Sequence, residues 1–142
     1  MIRQYTTYSP EESKQLAYLI GQEVKSGSII CFKGDLAAGK TTFIKGLAAG
    51  AANIPEEQVN SPTFNYLNIY QGTKTLYHFD LYRLGEVDEF LAMGFEEYLF
   101  SNGICCIEWS ERIEAIIPTP HYEISISHCG EDSRLIRVEF KT

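Results

Sequence analysis

One stretch fixes more about this chain than any other: "FKGDLAAGKTTFIKG", Phe32 to Gly46, which follows the apolar run "SIICF" (28–32) and opens a helical pattern over Lys40 to Ala52. Strand, glycine-containing loop and helix in succession give the pattern G-x-x-x-x-G-K-[ST] its physical meaning, and Gly34, Gly39, Lys40 and Thr41 fill it. A loop of this kind leaves backbone N–H groups unpaired at the helix N-terminus. Those donors and the helix dipole form a concave anion site, and glycines let the backbone approach a phosphate chain closely. Lys40 would then reach the β- and γ-phosphates as a point charge, and the Thr41 hydroxyl would bind the Mg²⁺ that bridges them. With glycine at about 7% of average sequence, four such fixed positions in so short a chain coincide by chance in well under about one case in a hundred.

At 142 residues and 44% apolar composition, the chain supports one core, and we expect a single domain over 1–142. Twelve Lys and Arg against nineteen Asp and Glu give a net charge of −7. Proteins that grip a phosphate backbone on their own concentrate basic charge, so DNA binding is not expected and any RNA would be held by a partner. The cysteines, Cys31, Cys105, Cys106 and Cys129, have no C-x-x-C spacing, and two lie adjacent in an apolar run. Metal and disulfide readings are therefore poor, and a reduced, cytoplasmic protein is the simpler inference. "MIRQYTTYSPEES" lacks the apolar centre of a signal peptide, and no segment approaches the roughly eighteen apolar residues of a membrane span.

The remaining elements follow in a readable order, without internal repeats. "IRQYTT" reads as a short edge strand. "SPEESKQLAYLIGQEV" opens with Ser9 as N-cap, Pro10 at the first helical position and Glu12 closing a capping box, and places Leu16, Ile20 and Val24 on one face. That pattern predicts an amphipathic helix covering a sheet. "IPEEQVNSPTF" is a polar connection, and "NYLNIYQGTKTLYHFDLYR" alternates on either side of Gly72 to Lys74 as a hairpin does. "EVDEFLAMGFEEYLF" is helical with a break at Gly94, "GICCIEW" is a second buried run, and "YEISISH" with "RLIRVEF" flank Gly130 as a second hairpin. Buried runs, helices and hairpins together predict an α/β fold, a three-layer P-loop NTPase-like sandwich with parallel core strands and antiparallel hairpin additions.

A phosphate cradle needs an acidic partner. Glu108 follows "ICCI", a run suited to a strand beside the P-loop strand, and a carboxylate at its C-terminal end would emerge next to the phosphates, in the Walker B position. Asp80 ends "LYHFD", but that run belongs to a hairpin, so an antiparallel strand and an uncertain place relative to the metal are expected. For either residue the competing reading is a surface carboxylate or a salt-bridge partner of, for instance, Arg83. Thr63 in "NSPTF" is placed like the switch-loop threonine of other P-loop proteins, and equally like part of a Ser-Pro-Thr turn without a ligand. Trp109, the single tryptophan, follows Glu108, and strand alternation points it to the opposite face, into the core.

"GDLAAGKTT", "SPTF", "YHFDLYRL", "MGFEEYL" and "IEWSE", in this order and spacing, strongly resemble the bacterial TsaE (YjeE/YdiB) family of P-loop ATPases needed to make threonylcarbamoyladenosine on tRNA. The resemblance implies a weak ATPase, using ATP and Mg²⁺, that binds the complex of the TsaD and TsaB proteins and resets it between turnovers without itself transferring the threonylcarbamoyl group. Contact with tRNA would be indirect. By position, it puts the phosphate loop on Gly34, Asp35, Leu36, Ala37, Ala38, Gly39, Lys40, Thr41 and Thr42. It puts the SPT motif on Ser61, Pro62 and Thr63, active-site and metal roles on Asp80 and Glu108, a functional tryptophan at Trp109, and a nucleotide-side arginine at Arg134. One departure stands out: Ala37 occupies a position where the family has glycine. If that position needs a positive φ, the added Cβ costs on the order of 1 kcal/mol.

Two other readings use the same cradle. A small-molecule kinase needs a second substrate site and often an arginine-bearing lid, whereas Arg3, Arg83, Arg112, Arg134 and Arg137 are spread along this chain. A nucleotide-gated binding module would need ATP binding, with ordering of the 53–66 loop, but not hydrolysis. A GTPase would carry an N-K-x-D motif, and none is present.

Overall fold

The structure is a computed structural model that describes residues 1–34, 38–62 and 64–142. Its centre is a seven-stranded sheet in the order β1-β7-β6-β2-β5-β4-β3. The strands are β1 (Ile2–Thr7), β2 (Ile29–Lys33), β3 (Leu67–Gln71), β4 (Thr75–Asp80), β5 (Ile104–Glu108), β6 (His121–His128) and β7 (Arg134–Lys141). β1 is the predicted edge strand. Both predicted hairpins form, β3 with β4 and β6 with β7. The parallel core is wider than the two apolar runs alone suggested, because each hairpin donates its inner strand: β6, β2, β5 and β4 all run parallel. This corrects the expectation for Asp80. β4 is antiparallel to β3 but parallel to β5, with Asp80 directly opposite Glu108.

Alternation along the strands divides the apolar residues between two faces. One face carries Ile30, Phe32, Leu76, Ile104 and Cys106 and is covered by helix α2 (Lys40–Ala52), with helix α1 (Pro10–Glu23) packed against both α2 and β1. The other carries Ile29, Cys31, Phe79, Cys105 and Ile107, beneath helix α3 (Val87–Ala92) and 3-10 helices at Phe95–Phe100 and Ser110–Ile116. Gly94, in the left-handed conformation, separates α3 from the first of these, at the predicted break.

The α1 capping box forms as read: Ser9 Oγ accepts from the Glu12 N–H at 3.1 Å, and Glu12 Oε1 accepts from the Tyr8 N–H at 2.9 Å. As expected, α1 lies against the sheet, with Ser13 Oγ meeting Thr7 Oγ1 of β1 at 2.7 Å and Glu23 meeting Arg3 at 3.1 Å, and it also packs along α2. Gly21 on α1 and Gly46 and Gly50 on α2 leave no room for a Cβ against the opposing helix backbone, so the two axes approach closely. α2 is thus packed against both the sheet and α1, which suits its run of alanine, glycine and apolar residues.

Cys31, Cys105 and Cys106 are buried, and Cys129 is exposed. Burial pushes the Cys31 and Cys105 thiols up to about 12 and that of Cys106 well above its ordinary value. Since the thiolate is the reacting species, iodoacetamide at about pH 8 should label Cys129 alone in the folded protein and all four cysteines after denaturation, as read by mass spectrometry.

On the face opposite α2, Glu123 meets Lys141 at 3.1 Å, Lys33 at 3.3 Å and His121 at 3.4 Å. Partial burial is the largest single influence on its carboxyl and pushes it up, but the hydrogen bonds from Lys141, His121 and Lys33 together outweigh it and hold the carboxyl below the usual range. A carboxylate depressed in the folded state adds stability that is present above its unfolded value, about 4.3, and is lost as pH falls through the folded value. Urea titrations should therefore show wild type losing stability more steeply than Glu123→Gln as pH falls below about 4.3.

Candidate functional site

A cavity of about 400 Å³ opens where the C-terminal ends of β2, β4 and β5 meet the start of α2. The chain leaves β2 into α2 on one face and leaves β5 into the 3-10 helix at Ser110–Ile116 on the other, which is where open α/β sheets form crevices. The cavity is lined by Ala38, Gly39, Lys40, Thr41 and Thr42 from the loop and helix start, by Ser61, Asp80, Glu108 and Trp109, and by Asp132 and Arg134 beside β7. Ser9, Pro10 and Ser13 at the start of α1 complete it, a contribution that nothing in the local sequence signalled.

The loop geometry rests on glycine. Gly34 has φ 146°, and a Cβ there would collide with the carbonyl oxygen of Ile126 on β6. Gly39, left-handed at φ 101°, leads into α2, and no side chain caps that helix end. The first turn of α2 therefore presents N–H donors to the cavity. Asp35, Leu36, Ala37 and Thr63 lie outside the described residues, and with them the question of what Ala37 does to the loop.

Lys40 is only 5% exposed. Its ammonium donates to the Gly34 carbonyl at 2.7 Å and sits 4.3 Å from the centre of the Trp109 ring. Among the described residues it meets a carbonyl and a π face rather than a carboxylate. Arg134 is held similarly, Nε donating to the Ala38 carbonyl at 3.0 Å and Nη1 to that of Ser133 at 3.1 Å. Two cations oriented by neutral groups keep their charge available to an anion.

Opposite them stand two carboxylates. Asp80 and Glu108 are register partners on adjacent parallel strands and point to the same face. Asp80 accepts from Ser61 Oγ at 3.0 Å and from the Tyr82 N–H at 3.1 Å. Glu108 is 4% exposed, and its Oε2 lies 2.7 Å from Nε2 of the fully buried His78. His78 was missed at the sequence level; its signal was its place two residues before Asp80 on the same strand face. Nδ1 of that imidazole has no hydrogen-bond partner among the described residues.

Trp109 meets the core expectation in part, packing partly buried against the cluster on the Cys31 and Ile107 face, but it also lines the cavity. It does not continue β5, because its backbone turns left-handed at φ 60°, and its ring lies over the Lys40 ammonium and 4.9 Å from the Tyr82 ring. Strand alternation fails at this residue because the strand has ended at Glu108.

Among the described residues no cluster of three or more His, Cys, Asp or Glu side chains is arranged to hold a metal by itself. An ion such as Mg²⁺ keeps waters and binds through one or two carboxylates together with phosphate oxygens rather than through an all-protein cage. Thr41, Asp80 and Glu108 are the residues here that could contribute to such a site.

A parallel-core sheet with a glycine loop running into a helix at its switch point defines a P-loop-type α/β fold. The crystal structure of YdiB from Bacillus subtilis superposes with a TM-score of 0.79 at 33% identity, covering 100% of this chain and 87% of that one. The family described as "Threonylcarbamoyl adenosine biosynthesis protein TsaE" matches residues 7–136. The tRNA threonylcarbamoyladenosine biosynthesis protein TsaE of Bacillus subtilis is 41% identical over 133 residues, spanning 93% of this chain and 82% of that protein. Its counterpart in Treponema pallidum is 38% identical over 130 residues, spanning 92% and 95%. The chain belongs to the TsaE family of tRNA threonylcarbamoyladenosine biosynthesis.

Proposed function

We propose that this protein is a weak, Mg²⁺-dependent ATPase that acts with the TsaB–TsaD complex in threonylcarbamoyladenosine formation on tRNA, and that it is not itself the threonylcarbamoyl transferase. The observation that carries the reading is the buried Lys40 at the head of α2, without a carboxylate among its described contacts, facing Asp80 and Glu108 across one cavity. Lys40, Arg134 and the α2 N–H groups would hold the phosphates, and Thr41 with Asp80 and Glu108 would hold the metal. When bound, the nucleotide and its ion supply the phosphoanhydride and the charge that offsets its negative oxygens. The chain itself contributes orientation. The loop brings backbone donors close, Trp109 limits water around the Lys40 ammonium, and Ser61 steadies Asp80.

Family membership supports the pathway, and the net charge of −7 favours tRNA being held by partner subunits. No helix among the described residues is long and apolar enough to cross a membrane. Three buried thiols with no disulfide fit the reducing cytoplasm.

The test is ATP hydrolysis by wild type and Glu108→Gln, alone and with TsaB–TsaD and tRNA. Slow hydrolysis that the complex stimulates, and that Glu108→Gln loses together with repeated tRNA modification, is expected. Hydrolysis indifferent to the complex would remove the partner assignment and direct attention to a metabolite acceptor, as in a kinase. Repeated modification by a hydrolysis-dead variant would instead favour a nucleotide-gated binding module.

A further inference from the structure

His78 is fully buried, its Nε2 lies 2.7 Å from Glu108 Oε2, and its Nδ1 has no hydrogen-bond partner among the described residues. As a core residue this is a poor choice. An aliphatic side chain would fill the space between β4 and the residues above it without desolvating a ring nitrogen. The imidazole makes sense through Glu108. That carboxylate ends β5, its register neighbour is Asp80, and the chain turns away at Trp109 immediately after it. Among the described residues the 2.7 Å contact to His78 is the one side-chain hydrogen bond of Glu108.

We propose that His78 is a positioning residue for Glu108, its Nε2–H fixing Oε2 so that Oε1 is the oxygen presented to the cavity and to a bound cation. The proposal rests on the nucleotide and metal reading above. It assigns to β4 two tasks two residues apart on one face, His78 orienting the carboxylate of the neighbouring strand and Asp80 lining the cavity directly. The backing is further organised by Tyr70, whose ring centre is 6.4 Å from that of His78. Its hydroxyl accepts from the Asn60 N–H and donates to the Asn60 carbonyl, both at 2.9 Å, immediately before Ser61.

The test compares two amides of different reach. His78→Gln places its amide nitrogen near the position of Nε2, whereas the shorter Asn of His78→Asn stops near Nδ1 and leaves Glu108 unheld. Mg²⁺ is titrated into ADP-saturated protein and read by the fluorescence of Trp109, and steady-state hydrolysis is measured alongside. The Asn variant should need about 10–100-fold more Mg²⁺ and lose a similar factor in kcat with KM for ATP little changed, while the Gln variant recovers to within a few-fold of wild type. If both variants lose equally, or if both match wild type, the positioning role is overturned while the wild-type response leaves the nucleotide reading standing. If wild type itself shows no Mg²⁺ response, the nucleotide reading fails first and the role of His78 with it. A ligand-free check is independent of both. Long-range ¹⁵N spectra should show His78 as the Nε2–H tautomer, altered in Glu108→Leu, and an Nδ1–H tautomer indifferent to that change would overturn the proposal outright.

Discussion

Lys40→Ala should leave a folded protein that has lost nucleotide hydrolysis by on the order of 10²–10³-fold, the scale set by removing one pre-oriented charged or hydrogen-bonding group from a low-dielectric site. The reasoning starts from burial. At 5% exposure the ammonium has given up most of its water, and what replaces that water is the Gly34 carbonyl at 2.7 Å and the Trp109 ring. Neutral partners compensate a buried charge only in part, so the site gains most when an anion arrives. Removing the lysine should therefore cost the ligand-free protein little, with a melting temperature within a few degrees of wild type. It should abolish the stabilisation that nucleotide confers, which for wild type reaches about 2.7 kcal/mol at a ligand concentration of 100 Kd. Differential scanning fluorimetry with and without ATP and Mg²⁺ measures both effects. A Lys40→Ala protein with an undiminished nucleotide shift would show that the phosphates are held elsewhere.

Gly50→Val carries the largest expected effect on stability. A Cβ at Gly50 would overlap the carbonyl oxygen of Tyr18 on α1, with the Tyr18 carbonyl carbon at 2.8 Å and its Cα at 3.0 Å. These are backbone atoms in a helix and cannot rotate aside. Intrinsic propensity favours replacing a helical glycine, by about 1 kcal/mol for alanine, so the direction of the change depends on whether the clash wins. α1 would have to move off α2 as a unit, opening the layer that includes Ala17, Ile20, Leu47 and Ala51, and overpacking of this kind costs typically about 1–3 kcal/mol or more. We expect a loss of about 3 kcal/mol in urea unfolding, with Gly50→Ala intermediate. Gly85→Ala, where the nearest atom to a Cβ is a Glu89 carboxylate oxygen at 3.5 Å, serves as the neutral control. Because Ser9, Pro10 and Ser13 line the cavity, the same displacement should weaken nucleotide binding. Stability and site would then fail together.

The two experiments probe features that differed in how far the sequence disclosed them. The phosphate loop was legible because its constraint is local: a glycine that must adopt φ 146° against β6, a second at φ 101° before the helix, and the lysine and threonines that follow at fixed spacing. Helix α2 began and ended where the pattern put it, at Lys40 and Ala52. Glu108 was legible for a related reason, since a continuous apolar run ending in a carboxylate marks the end of a buried parallel strand. Asp80 was found from its motif but given an uncertain place. Hairpin signals report only the pairing between consecutive strands and say nothing of the strand on the other side.

Legible in the chain alone were the seven strands, the two hairpins, helices α1 and α2, the α1 capping box and the phosphate-loop pattern, all features governed by interactions within a few residues. Tertiary structure alone decided that β4 lies parallel to β5, so that Asp80 and Glu108 become neighbours, that Trp109 turns out of its strand to meet Lys40, and that a histidine thirty residues from Glu108 grips its carboxylate. It also decided that α1 packs backbone against backbone on α2 at Gly21, Gly46 and Gly50. Each of these depends on which surfaces meet when the layers close, and periodicity records only that a face is buried, not what it is buried against.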